Sequence, residues 1–176
     1  MLKRFIPDLY VDNIFELEPE FLKDKGIKGI ITDLDNTLVA WDETDATERV
    51  VSWFKQMEEN EIDVTIISNN NQKRVKRFSE PLERPYVFSA KKPLKRAFLR
   101  AVKKMGYQKN EVAVIGDQLI TDILGGNRAG LISILVVPIV KTDDKATRIN
   151  RKIERRILKH LEKRGLEKWD QKKMKT

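Results

Sequence analysis

The sequence predicts an α/β domain in which a mainly parallel β-sheet lies between two layers of helices. Short apolar runs rich in β-branched residues alternate along the chain with segments whose apolar residues recur at helical spacing. The runs show no alternation of apolar and polar residues, which is typical of strands buried on both faces. Strict alternation of strands and helices also implies right-handed crossovers between parallel strands. The five predicted strands lie in IKGIITDL, IDVTIIS, YVFSA, EVAVIGD and LISILVV.

Helical segments lie between these strands. Thr44 and Asp45 are the expected N-caps of the first helix, because their side chains accept hydrogen bonds from the amides of a first turn. At 176 residues, the chain is long enough for one domain with a sizeable core and too short for two ordinary ones. We expect an N-terminal amphipathic segment packed on the core over residues 1–25, a central domain over 26–140 and a basic amphipathic helix or tail over 141–176. The four helical segments are ATERVVSWFKQMEEN, QKRVKRFSEPL, LKRAFLRAVKKMGY and ITDILGGNRAG.

Composition excludes several kinds of protein. The chain has no cysteine, which rules out disulfides, thiolate metal sites and cysteine nucleophiles. Its start, MLKRFIPDLYVDN, lacks the continuous apolar core of a secretion signal. The most apolar stretch, LISILVVPIV, is ten residues long, whereas about 20 are needed to span a bilayer. We therefore expect a protein that is soluble or peripheral to a membrane.

The excess positive charge is concentrated at the C-terminal end. The formal net charge is +8, from 35 Lys and Arg against 27 Asp and Glu. Residues 141–176 contain 14 basic and 6 acidic residues, so the preceding part of the chain is neutral. This tail is the predicted contact to an anionic partner. Two smaller basic clusters, over residues 73–77 and 91–96, follow the second and third predicted strands and would attract the same kind of ligand.

The tail also has the pattern of a basic amphipathic helix, because apolar residues recur every four positions among Lys and Arg. Such a helix either docks on the sheet through its apolar stripe or lies on an anionic membrane surface. A docked helix can also present its cations to lipid, so the two interpretations remain compatible. The apolar stripe consists of Ile149, Ile153, Ile157 and Leu161.

Polar side chains follow four of the five predicted strands. In an open parallel sheet, ligands bind beyond the carboxyl ends of the strands, so these residues are expected to converge on one crevice. Taken alone, the first pair of aspartates is equally typical of a turn that closes a strand. The residues at the strand ends are Asp33, Asp35, Ser68, Asn69, Lys92, Asp117 and Asp122.

As a set, these residues predict a phosphoryl-transfer site. Several carboxylates at close range repel one another, and a hard divalent cation such as Mg²⁺ relieves that repulsion while also binding a phosphate oxygen. Lys92 would compensate the charge of a nucleophile and of the transferring phosphoryl group. Ser68 and the amide of Asn69 would donate hydrogen bonds to the same group.

Four short motifs, DLDNT, ISN, KKP and GDQLITD, resemble in order and position the motifs of the haloacid dehalogenase (HAD) superfamily of aspartate-nucleophile phosphatases. The resemblance covers residues 26–138 and implies a HAD-like Rossmannoid three-layer α/β/α fold. It also implies that Asp33 attacks phosphorus to form an aspartyl-phosphate, while Asp35 protonates the leaving oxygen and then activates water. The implied substrate-binding residues are Leu34 and Asn69. The implied Mg²⁺ ligands are Asp33, the backbone carbonyl of Asp35 and Asp117, together with Asp122, which binds the ion either directly or through one of its ligands.

Spacing between the motifs leaves no room for a cap domain. The segments from Asp35 to Ser68 and from Ser68 to Lys92 each hold one helix and little else. We therefore expect the minimal, C0-type form of the fold. An open site favours a substrate whose bulk lies outside the pocket, such as a lipid headgroup, a polymer end or a protein.

Over nearly its full length the sequence is similar to the YqeG-type group IIIA HAD phosphatases, which are related to mitochondrial phosphatidylglycerophosphate phosphatase. The similarity implies dephosphorylation of phosphatidylglycerophosphate to phosphatidylglycerol by a cytoplasmic protein, peripheral at the inner face of the membrane; the residues alone indicate phosphoryl transfer. It is carried by MLKRFIPDLYVDNIFEL, SNNNQKRV, GDQLITDILGGNRAGL, LVVPIVKTD and RINRKIERRIL.

Other functions stay open on the residues alone. A HAD phosphatase acting on a soluble phosphate ester or a nucleotide would need the same site, and a non-catalytic membrane-associated adaptor would need only the basic tail. A phosphorelay receiver also places acids, a hydroxyl and a lysine at strand ends, but its acceptor aspartate follows a later strand, whereas Asp33 and Asp35 follow the first predicted strand. Nucleic acid is not an expected partner, because no aromatic stacking platform is interleaved with the basic residues. The sequence carries no signal for an oligomeric state.

Overall fold

A computed structural model describes residues 2–140 together with residues 153, 154, 156 and 157. Six strands form one sheet in the order β1-β6-β5-β2-β3-β4, and every neighbouring pair is parallel. The predicted three-layer α/β/α architecture is confirmed. The strands are β1 (Leu9–Val11), β2 (Gly29–Thr32), β3 (Asp63–Ile67), β4 (Tyr86–Val87), β5 (Val112–Gly116) and β6 (Ile132–Val136).

Helices connect the strands as the apolar spacing predicts, and one turn of π-helix, Leu119–Ile123, precedes the last of them. Between β2 and β3, and again between β3 and β4, the chain holds one α-helix, so there is no cap domain at either place. Three short 3₁₀ turns complete the described elements, at Leu2–Phe5, Ile14–Glu16 and Lys109–Glu111. The α-helices are α1 (Pro19–Asp24), α2 (Glu48–Glu59), α3 (Gln72–Ser79), α4 (Lys95–Met105) and α5 (Leu124–Ala129).

The start of α2 differs from the prediction. Its N-cap is Thr47, whose hydroxyl accepts a hydrogen bond from the amide of Val50, and not Thr44 or Asp45. Thr44 donates its hydroxyl to Asp45, which in turn pairs with Arg77 on α3. The two predicted caps are therefore engaged in a contact between loop and helix, which a local capping rule does not detect.

Successive residues of the central strands face opposite layers, so both faces of the sheet are covered. Ile30 packs into the apolar cluster that contains Phe54 of α2, whereas Ile31 packs into the cluster that contains Phe98 of α4. All four side chains are at most 1% exposed. This double burial explains why the strand sequences are continuously apolar.

The edge strand β1 was not predicted, because three residues between a proline and an acidic stretch give no strand signal. It pairs with β6, and Asp8 reinforces the pairing: its carboxylate accepts hydrogen bonds from the amide and the hydroxyl of Ser133. Residues 2–25 therefore extend the central sheet as well as covering it. The division into segments 1–25, 26–140 and 141–176 stays a prediction, and most of the third segment lies outside the described residues.

The topology places a crevice beside the carboxyl end of β2. From β2 the chain proceeds to β3 and β4 on one side, then crosses to β5 and β6 on the other. Such a reversal of strand order is where ligands bind in open α/β sheets. Among the described residues, no helix combines the length and the apolar character that crossing a bilayer requires.

Candidate active site

Asp33 directly follows β2 and lies where the strand order reverses. Its amide continues the sheet by donating to the carbonyl of Ile115 at 2.9 Å, and its carbonyl accepts the hydroxyl of Thr32 at 2.9 Å. The residue is only 7% exposed. Because its backbone belongs to the sheet, the carboxylate is held rigidly at the base of the crevice.

Lys92 enters the crevice from the loop after β4. Its Nζ lies 2.6 Å from Oδ1 of Asp33 and 2.6 Å from Oδ1 of Asp122, with 3% of the side chain exposed. Asn69 fixes the backbone of Lys92: its Oδ1 accepts the Lys92 amide at 2.7 Å and its Nδ2 donates to the Lys92 carbonyl at 3.2 Å. The Asn69 side chain therefore positions the lysine, a role that the sequence did not indicate.

Asp117 and Asp122 complete the acidic part of the site. Asp117 directly follows β5, and its Oδ1 accepts the hydroxyl of Thr37 at 3.3 Å. The Asp122 carboxylate lies over Gly116 and accepts the amide of Gln118 at 3.1 Å. A Cβ at position 116 would overlap this carboxylate, so glycine is required there for Asp122 to reach the crevice.

The three buried carboxylates have the donor chemistry of a cation site. Asp33, Asp117 and Asp122 each offer one oxygen, and these atoms all lie within 4.8 Å of one another. Anionic oxygens at this spacing suit a hard divalent cation, and Mg²⁺ binds through one or two carboxylates, carbonyls and water. Glycine at position 116 leaves the space that brings Asp122 into this group. The residues present therefore fit the metal that the motifs imply.

Burial and charge act in opposite directions on the two central groups. Burial raises the pKa of the Asp33 carboxyl to about 7, although the Lys92 ammonium favours the ionised form. Burial alone would lower the pKa of Lys92, but the carboxylates of Asp122 and Asp33 raise it above its ordinary value. Lys92 is consequently a cation at neutral pH, whereas full ionisation of Asp33 needs further positive charge, which a divalent cation supplies.

Two other predicted residues lie beside this group. Ser68 is 2% exposed at the end of β3, and its Oγ accepts the amide of Asn70 at 3.0 Å. Leu34 is completely buried in the core, and its carbonyl accepts the amide of Leu38 at 2.9 Å. Contact between Leu34 and a substrate therefore has to involve its backbone, because its side chain is part of the core.

Comparison with known proteins identifies the family. Residues 2–130 match the family described as haloacid dehalogenase-like hydrolase. The chain belongs to this family. The resemblance carried by the four motifs is thereby confirmed.

Two relatives in this family extend the comparison. "Probable phosphatase YqeG" from Bacillus subtilis (strain 168) is 55% identical over 172 residues, covering 97% of this chain and 100% of that protein. "Phosphatidylglycerophosphate phosphatase 1, chloroplastic/mitochondrial" from Arabidopsis thaliana is 28% identical over 172 residues. This second alignment covers 92% of the chain but 49% of the plant protein, so the chain spans about half the length of that relative.

Solved structures show the same fold. The 3-deoxy-D-manno-octulosonate 8-phosphate phosphatase from Yersinia pestis superposes with a TM-score of 0.53 at 15% identity, over 65% of this chain and 74% of that chain. At this identity the likeness concerns the fold alone.

In this haloacid dehalogenase-like hydrolase, sequence reasoning missed the residue that holds Asp35. Nε and Nη2 of Arg74 donate to Oδ1 of Asp35 at 3.0 and 2.9 Å, and Nδ2 of Asn70 donates to Oδ2 at 3.2 Å. Nη1 of Arg74 also donates to the carbonyl of Thr44 at 3.0 Å. The sequence indicates Arg74 only as a member of the basic cluster over residues 73–77. The N-cap at Asn71 is the signal that locates it, because that cap puts Arg74 in the first turn of α3, at the carboxyl edge of the sheet.

One described residue of the C-terminal segment, Glu154, contacts the same edge of the hydrolase. Glu154 is buried, and its Oε1 accepts the amide of Ile120, three residues after Asp117. Ile153 is 44% exposed, so the buried side chain at this point is the glutamate and not the isoleucine of the predicted stripe. Ile157 is half-buried, and the stripe residues Ile149 and Leu161 lie outside the described residues. A buried glutamate on the amide of Ile120 is a long-range contact that helical spacing does not reveal.

Proposed function

We propose that this chain is an Mg²⁺-dependent phosphomonoester hydrolase that forms an aspartyl-phosphate on Asp33. One observation carries the proposal: a buried carboxylate at the strand reversal lies 2.6 Å from a buried lysine and within 4.8 Å of two further carboxylates. Such an arrangement supplies a nucleophile, a fixed counter-charge and cation ligands in one place. Membership of a hydrolase family and the name of the Bacillus relative support the same reaction.

In the first half-reaction, a carboxylate oxygen of Asp33 attacks phosphorus and the bond from phosphorus to the ester oxygen breaks. Asp35 donates a proton to that leaving oxygen, which departs as an alcohol. Lys92 balances the charge on Asp33 and on the phosphoryl oxygens, while Ser68 donates a hydrogen bond to the phosphoryl group. A magnesium ion bound by Asp33, Asp117, Asp122 and the carbonyl of Asp35 would supply electrostatic stabilisation of the phosphoryl oxygens.

In the second half-reaction, Asp35 takes a proton from water, and the water oxygen attacks phosphorus of the aspartyl-phosphate. The bond from phosphorus to Asp33 breaks, which releases inorganic phosphate and restores the carboxylate. Asp35 thus ends with the proton that it gave up in the first step, so the cycle is balanced. Arg74 and Asn70 keep the Asp35 carboxylate in one orientation for both steps.

The proposed substrate is phosphatidylglycerophosphate, with phosphatidylglycerol as the lipid product. The name of the Arabidopsis relative supports this choice, and so does the absence of a cap, because an open crevice admits a headgroup while the acyl chains stay in a membrane. We propose that the protein acts from the cytoplasm, at the inner face of the membrane. Its basic C-terminal residues, most of which lie outside the described part of the chain, would add attraction to anionic lipid.

A substrate comparison tests the proposed function. Phosphate release is measured from phosphatidylglycerophosphate in vesicles and from soluble esters and nucleotides, with Mg²⁺ and with a chelator. We expect metal-dependent release that is fastest from the lipid. Release from soluble esters alone would retain the chemistry and overturn the lipid substrate. No release from any ester would overturn the proposed hydrolysis and favour the adaptor.

Replacing Arg74 by methionine should impair catalysis in a manner that depends on the leaving group. Without the guanidinium, Asp35 loses its orientation as proton donor, which matters most for a poor leaving group. We expect kcat to fall by roughly 30-fold for an alkyl phosphate but only about threefold for 4-nitrophenyl phosphate, whose leaving group needs little protonation. Steady-state kinetics with both esters provides the measurement.

The matched control for this prediction is Arg77→Met on the same helix. Arg77 pairs with the exposed Asp45, at the outer side of the loop. The ratio of kcat for the alkyl phosphate to kcat for 4-nitrophenyl phosphate should be the same in Arg77→Met as in the unmodified protein. An equal loss on both esters in Arg74→Met would show that Arg74 has a structural role only.

A further inference from the structure

We infer that the carboxyl edge of the sheet is the surface by which this protein lies on an anionic lipid bilayer, with the crevice facing the membrane. The contact is made by an apolar rim around the crevice, and the inference rests on the proposed lipid substrate for its choice of partner. The rim consists of Trp41, Phe88, Leu94, Val137, Ile139 and Ile153.

The distribution of exposed apolar side chains sets this edge apart. Seven large hydrophobic residues are exposed among those that the structure describes, and the six rim residues are 38% to 52% exposed. The seventh, Val51, projects from α2 and is 45% exposed. Isolated exposed hydrophobics are normal on a soluble protein, but their concentration around one crevice marks an interaction surface.

On one side of the crevice, the rim residues are close neighbours. The amide of Trp41 donates to Oδ1 of Asn36 at 3.3 Å, and the amide of Ile139 donates to the carbonyl of the same asparagine at 3.0 Å. Asn36 lies three residues after Asp33 and has a positive φ of 65°. The loops after β2 and β6 therefore bring the backbones of Trp41 and Ile139 to the same asparagine, three residues after the proposed nucleophile.

On the other side, Phe88 directly follows β4, and the amide of the next residue, Ser89, donates to the carbonyl of Asn70 at 2.9 Å. Leu94 lies two residues after Lys92, at the start of α4. Ile153 is adjacent to Glu154, whose hydrogen bond to Ile120 anchors it beside the acidic loop. Apolar groups thus flank the crevice where strands β2, β4, β5 and β6 end.

Charge around the rim favours an anionic surface. Lys91, Lys95 and Arg96 are exposed and surround Leu94, and Arg156 is exposed near Ile153. Asp42 and Glu43 are exposed after Trp41, so the positive side of the rim is that of α4 and of the C-terminal segment. Aliphatic and aromatic side chains interleaved with cations are typical of surfaces that rest at the headgroup level of anionic lipid.

A bilayer suits this surface better than a protein partner does. A protein seated on the whole rim would cover the crevice at its centre, whereas a bilayer covers the same rim and supplies the substrate. The uncapped site also needs an external surface to exclude bulk solvent while a single water molecule reacts, and the membrane provides one. The rim is thus both the attachment surface and the substitute for a lid.

Site-directed spin labelling tests the orientation directly. Because the chain has no cysteine, Leu94→Cys and Ile139→Cys each give one labelled position on the rim, and Asn110→Cys gives one at the opposite, amino edge of the sheet. The full chain is added to extruded vesicles of equal parts phosphatidylglycerol and phosphatidylcholine. We expect the rim labels to gain collisions with oxygen and lose collisions with a water-soluble nickel complex, while the label at position 110 changes in neither.

Sedimentation with the same vesicles tests the energetic contribution of the rim. The double variant Leu94→Ser with Ile139→Ser should partition about tenfold less well, because two aliphatic side chains no longer enter the interface. Val51→Ser is the matched control, since Val51 is as exposed as the rim residues but lies within helix α2 and not on a loop at a strand end. Its partitioning should equal that of the unmodified chain.

The outcomes separate this inference from the proposed function. Rim labels that stay in water, or a double variant that binds as well as the Val51→Ser control, would overturn the rim as a membrane surface even if the lipid is hydrolysed. If the rim labels enter the bilayer but the lipid is not hydrolysed, the proposed substrate would be overturned and the rim would still be supported as a membrane surface. A third outcome is that the unmodified chain hydrolyses phosphatidylglycerophosphate in vesicles faster than its short-chain soluble form. If the double variant loses this difference and Val51→Ser keeps it, the result would support both the rim and the lipid substrate.

Discussion

Replacing Asp33 by asparagine is expected to lower turnover by at least about a thousandfold while the protein stays folded. The amide cannot attack phosphorus as a carboxylate does, and the substitution removes one negative charge from the group of three carboxylates. Single-turnover assays with Mg²⁺ and with the enzyme in excess over the substrate measure the loss, and a phosphorylated intermediate trapped by acid should be absent from the variant. Appreciable turnover in a clean preparation would contradict the assignment of the nucleophile.

The folding control for this variant follows from the raised pKa of Asp33. In the metal-free protein, the folded state keeps a proton on Asp33 up to about pH 7, whereas the unfolded chain releases it near its ordinary value of 3.8. The free energy of unfolding should therefore fall as pH rises between these two values, because the folded state binds more protons there. The asparagine variant should lack this contribution and remain cooperative in chemical denaturation.

Replacing Lys92 by methionine is the change with the largest expected effect on stability. It would leave the carboxylates of Asp33 and Asp122 buried without the cation that lies 2.6 Å from each. Removing one partner from a buried ionic group costs about 3–5 kcal/mol. Denaturation in a chelator at pH 8 should show a loss of this order, and saturating Mg²⁺ should recover part of it, because a cation that binds the folded state stabilises it.

Lys91→Met provides the matched control, since it removes the neighbouring lysine, whose side chain is exposed. Surface changes of this kind alter the free energy of unfolding by about 0.5 kcal/mol or less. A Lys92→Met variant as stable as this control in the chelator would mean that the buried carboxylates are protonated or otherwise compensated. The proposed role of Lys92 as their counter-charge would then be wrong.

The order of apolar and polar residues along the chain was enough to predict the sheet, its parallel strands and the edge at which the candidate site lies. Continuous apolar runs become buried strands because both faces are covered, and the polar residue that follows each strand then reaches the carboxyl edge. Asp33, Lys92, Asp117 and Asp122 could be named in this way. Local patterning works here because strand ends are marked by an abrupt change from apolar to polar residues.

Local patterning failed where one short segment depends on a distant one. Strand β1 has only three residues, and its place is set by pairing with β6 and by the bonds between Asp8 and Ser133. The cap of α2 is Thr47, whereas the predicted cap Asp45 pairs with Arg77 on α3. Neither contact has a periodicity that can be read from the chain.

The sequence thus predicted which residue types gather at the candidate site of this hydrolase, whereas packing in three dimensions determined how those residues are held. The residue types at four strand ends predict carboxylates, a lysine and a hydroxyl around a phosphoryl group. Other features arise from residues that are remote in sequence. They are the hydrogen bonds from Arg74 to Asp35, those between Asn69 and Lys92, the contact of Glu154 with Ile120, and the apolar rim. Such contacts form only when separate loops meet at one edge of the sheet, since hydrogen bonds and exposure are properties of neighbours in space.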